Sequence, residues 1–353
     1  MLAILAATSA GFLLTGVALA SGDFGSERDR ELADDADDLF GVDKPVSASS
    51  TQSIDAATAN ADPTKLITLA RGLKARVVTT GSGANTDMMV LWPNDSRPTH
   101  LITCNEQGTT DPGVQRITLA TGAVETIVTG TSTCDPIRRT AWGTVIFGEE
   151  AGASGQLYEL INPLNTTGVS LDRATAVFSG GTNPQNLVRR DVIGRLSFEG
   201  LGLLSNGVLY YTDELRPSNG RAGGSYYKFI PANPYSGSTP ITQLSDSPLT
   251  SGSVSALKVG RRSGGTDFGQ GNNNGQGSWV PICNSVTSAP GPCSNVDLGA
   301  FTAANRLTGF YRPEDLEVDT VALQAGNVQL CGNNTGIAEF SNFGETICLT
   351  DGT

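Results

Sequence analysis

The sequence is almost without histidine, since His100 is the one histidine among 353 residues. A Ser-His-Asp triad needs a base beside its nucleophile, so this composition argues against one. Zinc sites built from several histidines are excluded for the same reason. His100 precedes an apolar run and is predicted to be structural. The G-x-S-x-G and P-loop patterns are also absent, so neither common signature explains a function.

Charged residues, and positive ones in particular, are scarce as well. They make up 16% of the sequence, and 23 Lys and Arg stand against 35 Asp and Glu, for a formal net charge of −12. Nucleic acids are bound through a positive surface, so a nucleic-acid partner is not expected. Phosphorylated small molecules remain compatible, because bound cations invert the local sign of an acidic site.

Glycine, in contrast, is abundant at 43 residues. Many glycines and few charges are typical of short strands and tight turns rather than long amphipathic helices. Along the sequence, an apolar run, a Gly turn, a second apolar run and an acidic or amide cluster recur, as in residues 207–214, GVLYYTDE. Repeated hairpin units of this kind predict an all-β fold and favour a β-propeller. A β-sandwich or a jelly roll is the alternative.

The N-terminal segment predicts export. Residues 1–20 have no charged side chains and end in Ala18-Leu19-Ala20, which is typical of a signal-peptide cleavage site. An uncleaved N-terminal anchor, which would be the only contact with a membrane, is the alternative. Residues 21–61 predict an acidic flexible linker, and residues 62–353 the folded domain. The Gly/Asn-rich stretch at about 262–296 predicts an inserted loop.

Six cysteines suit the oxidising compartment to which such a protein is exported. The short, turn-rich separations predict the pairs Cys283–Cys293 and Cys331–Cys348, although six cysteines allow fifteen connectivities. Two cysteines, Cys104 and Cys134, are then left over. They form either a third disulfide or, through Cys134, part of a metal site.

Carboxylates cluster at or beside strand ends in successive units. In a propeller, equivalent positions of successive blades meet at the central channel, so these acids would converge there. Closely packed like charges need compensating cations, and hard cations with oxygen ligands fit this inventory. The alternative is that each acid is a separate solvated turn residue. The acids concerned are Glu106, Glu149, Glu150, Glu199, Asp213, Glu214, Glu314 and Asp315.

Several short motifs, in the same order along the sequence, resemble those of the PhoX-type alkaline phosphatase family. Phe198 and Asn105 stand where that family has histidines, so the protein resembles a divergent member. The motifs are a cysteine, a W-G-T turn and paired acids within residues 133–150; GRLSFEG at 194–200, similar to G-R-x-x-H-E; YTDE at 211–214, similar to T-E-D; RPED at 312–315, similar to R-P-E-G; and CNE at 104–106, similar to N-H-E.

The resemblance implies a six-bladed β-propeller that hydrolyses phosphate monoesters with Fe³⁺ and Ca²⁺ in its channel, a function in phosphate acquisition. A closed propeller needs its last blade to meet its first, and the sequence stops after an apparent mid-blade strand, so an incomplete last blade and a C-terminal truncation are expected. Phosphate oxygens would be held by Arg312 and Asn105. The implied metal ligands are Cys134, Glu149, Glu150, Glu199, Asp213, Glu214 and Glu314.

Two other functions share the carboxylate-lined channel. A calcium-dependent propeller lactonase or esterase would use the acids but gives no reason for Cys134 before a W-G-T turn. A non-catalytic secreted propeller that serves as a binding module predicts a Cys104–Cys134 disulfide and no bound iron. Of the three functions, only the phosphatase predicts that the protein binds small-molecule phosphomonoesters.

Overall fold

The structure, a computed structural model, describes residues 24–42, 52–217, 223–260 and 276–352. It contains two compact units, Met1–Val77 and Val78–Thr353. The predicted signal peptide at residues 1–20 lies outside the described residues. Within the described ranges, no helix has the length and apolar character that a membrane span requires.

The first unit is helical where it is described. It contains α1 (Phe24–Phe40), α2 (Ala56–Ala61) and a 3₁₀ turn at Pro63–Leu66. The Asp55 carboxylate caps α2 by accepting a hydrogen bond of 2.8 Å from the Thr58 amide. Both α1 and α2 lie within residues 21–61, the stretch predicted to be an acidic flexible linker.

The second unit is mostly β, as the sequence predicts. Its strands, numbered in sequence order, form four sheets. In spatial order, the first sheet contains β1 (Thr86–Trp92), β2 (His100–Asn105), β3 (Pro112–Thr118), β4 (Val124–Thr129), β8 (Val169–Asp172) and β9 (Val177–Ser179). The second contains β10 (Leu187–Arg189), β7 (Leu157–Ile161), β6 (Thr144–Glu149) and β5 (Cys134–Arg139).

The third sheet contains β11 (Phe198–Leu203), β12 (Leu209–Asp213), β13 (Tyr226–Pro231), β14 (Gly252–Val259) and β15 (Gly277–Asn284), and the fourth β16 (Pro313–Val318), β17 (Val328–Asn334) and β18 (Glu345–Asp351). Apart from the parallel β4–β8 pair, neighbouring strands are antiparallel. Short helices lie between strands: α3 (Leu298–Ala304), α4 (Thr320–Gln324), and 3₁₀ turns at Gly152–Ser154, Pro163–Asn165, Pro184–Asn186, Asp191–Ile193, Leu244–Asp246, Pro248–Thr250 and Ala338–Phe340.

Successive sheets share buried apolar layers. Alternating side chains from facing sheets fill each layer, and each fully buried large apolar side chain stabilises the fold by about 1.5–3 kcal/mol. Representative members are Val114 and Phe147 between the first and second sheets, Ile146 and Phe229 between the second and third, and Tyr210 and Leu316 between the third and fourth.

The first strand of each sheet packs against the first strand of the next, in the order β1, β5, β11, β16. The approach of β16 to β11 depends on Gly200, because a Cβ there would lie 2.3 Å from the Leu316 amide nitrogen. The Thr212 hydroxyl also donates a 2.8 Å hydrogen bond to the Glu314 carbonyl. These contacts bring the starts of the four strands together.

The stretch predicted as an inserted loop at 262–296 includes part of the third sheet. Residues 261–275 lie outside the described residues, but β15 follows directly and pairs antiparallel with β14. Its Ile282 side chain is buried in the core, which explains why this segment forms a strand. The Cys283–Cys293 disulfide then closes the loop after β15.

Three disulfides are present, which is compatible with an exported protein. Cys283–Cys293 and Cys331–Cys348 confirm the predicted pairs. The third joins Cys104 on β2 to Cys134 on β5, and so links the first and second sheets.

Candidate functional site

The four sheets begin with the same bulged hairpin. In each, the first residue of the first strand pairs with the last residue of the second strand. The next pair lies three residues further along the first strand but only two residues back along the second, so the first strand has one extra residue. The paired positions are Thr86↔Asn105 then Met89↔Thr103, Cys134↔Glu149 then Ile137↔Phe147, Phe198↔Asp213 then Leu201↔Tyr211, and Pro313↔Asn334 then Leu316↔Gly332.

An acid occupies the second position of every one of these first strands. These residues are Asp87, Asp135, Glu199 and Glu314. A bulge holds one extra residue and re-aims its side chain, so each acid sits where the pleat is broken. In three of the four hairpins, the residue just before the strand has a positive φ: Asn85 (50°), Thr133 (46°) and Arg312 (57°). Such backbone is uncommon outside glycine and clusters at functional sites.

The second strands of the hairpins supply further polar groups. Glu106, Glu150 and Glu214 each follow the last residue of β2, β6 and β12, and Thr335 occupies the equivalent place after β17. The Thr335 hydroxyl hydrogen-bonds the Glu314 carboxylate. The starts of the first strands and the ends of the second strands therefore line one site.

Two overlapping groups of acids are close enough to share a cation. Carboxylate oxygens of Asp87, Glu106 and Asp135 all lie within 4.8 Å of one another, and so do those of Asp135, Glu150 and Glu199. Asp135 belongs to both groups. The arrangement offers two adjoining oxygen-lined positions with one carboxylate between them.

The two most buried of these acids have no cationic partner. Asp135 and Glu199 are each 3% exposed, and neither forms a salt bridge within the described parts of the protein. Burial, together with the nearby carboxylates, raises the pKa of Asp135 to about 8. Burial and the charge of Asp135 raise the pKa of Glu199 far above its ordinary value. Both shifts oppose ionisation unless positive charge is brought in.

The neighbouring acids are shifted in the same direction. Burial and contact with Asp87 raise the pKa of Glu106 to about 7. Burial and contact with Glu214 raise the pKa of Glu150 to about 9. Burial also raises the pKa of Glu314. Proton release from this cluster is therefore unfavourable in the absence of a cation.

Arg312 is the one cationic side chain that pairs with this cluster in the described residues. Its Nε lies 2.6 Å from Glu214 Oε1, and its Nη2 also contacts Glu214 and lies 3.4 Å from Glu314 Oε1. Burial would raise the pKa of Glu214, but hydrogen bonds with Glu150 and Arg312 bring it below the ordinary value. Arg312 thus stands at the rim of the acids with its planar fork facing them.

Of the predicted metal ligands, Glu150, Glu199, Glu214 and Glu314 come together, whereas Glu149 and Asp213 do not. Glu149 points to the opposite face of β6, where Arg173 Nε lies 2.8 Å from Oε1 and the Ser132 amide donates at 2.9 Å. Asp213 is buried beside the Ser197 amide, and this burial raises its pKa to about 7. Strand alternation separates each of these acids from its neighbour in the site.

The structure also differs from the predicted roles of Cys134 as a metal ligand and Asn105 as a phosphate-binding residue. Cys134 is joined to Cys104, and both are fully buried. A disulfide sulfur is not the thiolate that binds metals, so Cys134 does not offer the predicted ligand. The Asn105 amide is buried, donating to Gln115 Oε1 at 3.0 Å and accepting from the Thr86 hydroxyl at 2.8 Å. It supports the hairpin and has no group turned to a phosphate.

Glu106 was expected among the channel acids but not among the implied metal ligands, and Asp87 and Asp135 were missing from both. The signal that identifies them is a spacing, because each first strand starts with an acid two residues before an apolar residue. The four segments are TDMM at 86–89, CDPI at 134–137, FEGL at 198–201 and PEDL at 313–316. Glu106 then follows from its place beside Asp87 in the first hairpin.

Comparison with known proteins gives distant structural matches and no match by sequence. No family model matches the sequence, and no curated protein matches it. Among solved structures, it is similar to Pseudomonas fluorescens PhoX in complex with vanadate, a transition state analogue, with 16% identity and a TM-score of 0.47. The structural relationship is distant. The match covers 72% of this chain and 59% of that chain, so this chain spans less than two thirds of PhoX.

Proposed function

We propose that this protein is an exported, metal-dependent phosphomonoesterase whose cations are held by the carboxylates at the starts of the four sheets. The observation that carries the proposal is the burial of Asp135 and Glu199 without a cationic partner among the described residues, beside acids of the first and second hairpins. Carboxyl groups buried together either keep their protons or bind a compensating cation, so ionised Asp135 and Glu199 require a cation here. The family-like order of the sequence motifs supports phosphate ester chemistry.

The residues fit oxygen-ligated cations and do not fit a thiolate-ligated one. Asp87, Glu106, Asp135, Glu150 and Glu199 offer carboxylate oxygens alone, which suits Ca²⁺ and also a ferric ion held by oxygen. The Cys104–Cys134 disulfide removes the sulfur ligand that the family resemblance implied. The proposed centre is therefore an all-carboxylate version of the implied site.

In the proposed mechanism, bound cations would supply Lewis-acid polarisation of the phosphate and a water of lowered pKa. The protein's own residues supply the rest. Arg312 can turn its guanidinium from Glu214 to two phosphate oxygens, because an Arg fork binds carboxylate and phosphate in the same bidentate way. Glu214 and Glu314 limit this movement by drawing the fork back when no substrate is present.

The proposed architecture behind the site is a β-propeller. Antiparallel sheets that follow one another in sequence, share apolar layers and place their first strands side by side support this proposal. Such an arrangement explains why acids from distant segments converge at one end of the first strands.

A specific observation also favours a second candidate, the non-catalytic secreted module. That hypothesis predicts the Cys104–Cys134 disulfide, and the structure contains it. The acids would then bind cations for stability alone. Bound iron and catalysis separate the two candidates, because the module predicts neither.

The deciding experiment combines metal content with phosphate release. The mature protein is analysed by elemental mass spectrometry and assayed with 4-nitrophenyl phosphate, before and after EDTA and with Ca²⁺ added back. Calcium, alone or with iron, near integral stoichiometry and EDTA-sensitive phosphate release are expected. Glu199→Gln and Asp135→Asn are expected to lower phosphate release by roughly 100-fold or more, since even outer partners of metal ligands contribute 10–100-fold.

The matched control is Glu339→Gln, which neutralises an exposed acid elsewhere in the fourth sheet's connections. It is expected to retain wild-type metal content and turnover. Bound metal without phosphate release from any monoester would contradict the phosphatase and favour the binding module. Wild-type activity in Glu199→Gln would exclude the proposed site.

A further inference from the structure

A cavity of about 410 Å³ adjoins the candidate metal site. Its walls come from β1 and β5 on one side and from β16 and β17 on the other. The volume lies within the range of roughly 300–1,000 Å³ that small-molecule pockets occupy. Nothing in the proposed hydrolytic site uses this space.

The cavity begins one residue away from the candidate ligands. Met88 in its wall follows Asp87, and Asp315 follows Glu314. Consecutive Cα atoms are about 3.8 Å apart, so the cavity wall starts within a few ångströms of acids that would surround the cations. A phosphate ester held by cations at these acids would have this space open to its organic portion.

The β1 and β5 side of the cavity is apolar. Met88, Met89, Val90 and Ile137 line it, with Leu316 opposite. Met89 is 50% exposed, which leaves a large thioether side chain open to solvent inside a concave surface. Flexible methionines adapt to apolar ligands of different shape, so this wall suits an aryl or alkyl group.

The polar side chains of the cavity do not contradict an apolar ligand. The Arg138 guanidinium is already engaged, with Nε 2.8 Å from the Leu201 carbonyl and Nη1 2.7 Å from Glu317 Oε2. Asp315 is exposed and forms no salt bridge in the parts of the protein that the structure describes. A ligand with much negative charge in its organic portion would be repelled by Asp315 and Glu317.

We propose that this cavity binds the apolar alcohol portion of the substrate, so that the enzyme prefers aryl and alkyl phosphomonoesters to polyol phosphates. The proposal rests on the proposed phosphatase function, which places the phosphate at the acids. It assigns substrate selection to Met89 and its neighbours on β1. The same contacts bind the released alcohol after the phosphate has left.

The test compares two esters and one product. For 2-naphthyl phosphate and glycerol 3-phosphate, kcat/KM is measured with wild type and Met89→Glu. The variant places a charge on the apolar wall, so the preference for the naphthyl ester is expected to fall about tenfold. Val177→Glu is the matched control, because Val177 is 53% exposed and lies on β9 of the same sheet, outside the cavity lining. An unchanged ester preference in Met89→Glu would overturn the proposal.

A binding measurement separates this proposal from the phosphatase function. The fluorescence of 2-naphthol is titrated with the metal-loaded protein, which requires no turnover. Binding to wild type and about tenfold weaker binding to Met89→Glu are expected, and Met89→Ser repeats the comparison without the added charge. No binding of 2-naphthol, or equal binding by all variants, would contradict the cavity's role. Binding of 2-naphthol without hydrolysis of any ester would support the cavity and contradict the phosphatase.

Discussion

Two groups of buried acids in this molecule differ in whether the protein supplies them with a positive partner. Glu159, in the second sheet, is fully buried, as is Glu149 on the neighbouring strand. Asp135 and Glu199, at the starts of β5 and β11, are almost as deeply buried. Burial is thus common to both groups, and what differs is the partners that each acid finds.

Glu159 is satisfied by the protein itself. Its Oε1 accepts hydrogen bonds from Trp142 Nε1 at 2.7 Å and from the Thr144 hydroxyl at 2.6 Å. Its Oε2 accepts from Arg190 Nε at 2.7 Å and from the Ser247 hydroxyl at 2.8 Å. Four side chains donate to this carboxylate and one of them is a cation, so the W-G-T turn is held in place by a complete polar network.

Asp135 and Glu199 have other carboxylates where Glu159 has donors. Within the described residues, neither Asp135 nor Glu199 has a cationic partner such as the one that Arg190 provides for Glu159. The comparison teaches that burial of an acid does not by itself identify a functional site. A buried acid whose counter-charge the protein does not supply is the stronger indicator.

The largest expected effect is on the free energy of unfolding when one acid of each group is neutralised by mutation. Glu159→Gln leaves Arg190 buried without its counter-charge, and is expected to lower the free energy of unfolding by about 3–5 kcal/mol. Glu199→Gln resembles the protonated side chain that the raised pKa of Glu199 favours, so the metal-free protein is expected to keep its stability. Urea denaturation in EDTA measures both, with Glu339→Gln as control. Equal destabilisation by the two substitutions would show that the two groups do not differ.

A second prediction concerns pH in the metal-free protein. Asp135, Glu106 and Glu150 have pKa values of about 8, 7 and 9 in the fold, whereas unfolded carboxyl groups lose their protons near pH ~4. The unfolded protein therefore binds fewer protons than the folded one across this window. Stability is therefore expected to fall as pH rises from about 4 to about 9.

Calcium should remove this pH dependence. After allowance for the partial exposure of the cluster, the loss without metal is on the order of 2 kcal/mol. Excess Ca²⁺ is expected to raise the melting temperature more at about pH 8.5 than at about pH 5.5, because binding must displace protons at the lower pH. Differential scanning calorimetry in EDTA and in Ca²⁺ measures this difference. A calcium effect independent of pH would argue against binding at these acids.

Much of this site was open to prediction from sequence, and the failures have physical causes. The acids at strand ends identified Glu150, Glu199, Glu214 and Glu314, because hairpin repetition carries equivalent positions to one place. Glu149 and Asp213 were wrongly grouped with their neighbours, since adjacent strand residues face opposite sides. The bulges that re-aim Asp87 and Asp135 depend on strand register, which a single sequence does not specify.

The choice between a disulfide and a metal ligand at Cys134 was left open by sequence for a similar reason. The pairs Cys283–Cys293 and Cys331–Cys348 are local, and the turns between them made their pairing predictable. Cys104 and Cys134 are 30 residues apart and belong to different sheets. Their partnership follows from the packing of β2 against β5, a tertiary contact.

The smallest expected effect compares two of these disulfides. Cys104 lies two residues before Glu106, and Cys134 directly precedes Asp135, so their bond holds together two sheets that share one candidate cation position. The double variant Cys104→Ala/Cys134→Ala is expected to weaken Ca²⁺ binding about tenfold, or about 1.4 kcal/mol. Cys331→Ala/Cys348→Ala removes a disulfide within the fourth sheet and should lower stability without weakening Ca²⁺ binding.

Isothermal titration calorimetry with Ca²⁺ measures both affinities, and thermal unfolding measures the accompanying loss of stability. If the two variants lost affinity equally, the effect would come from general destabilisation rather than from the position of Glu106 and Asp135. If Cys104→Ala/Cys134→Ala bound Ca²⁺ as tightly as wild type, packing alone would hold the two sheets in register. Tighter iron binding after Cys104→Ala alone would instead indicate that a freed Cys134 thiolate joins the carboxylates, because thiolate is a strong iron ligand.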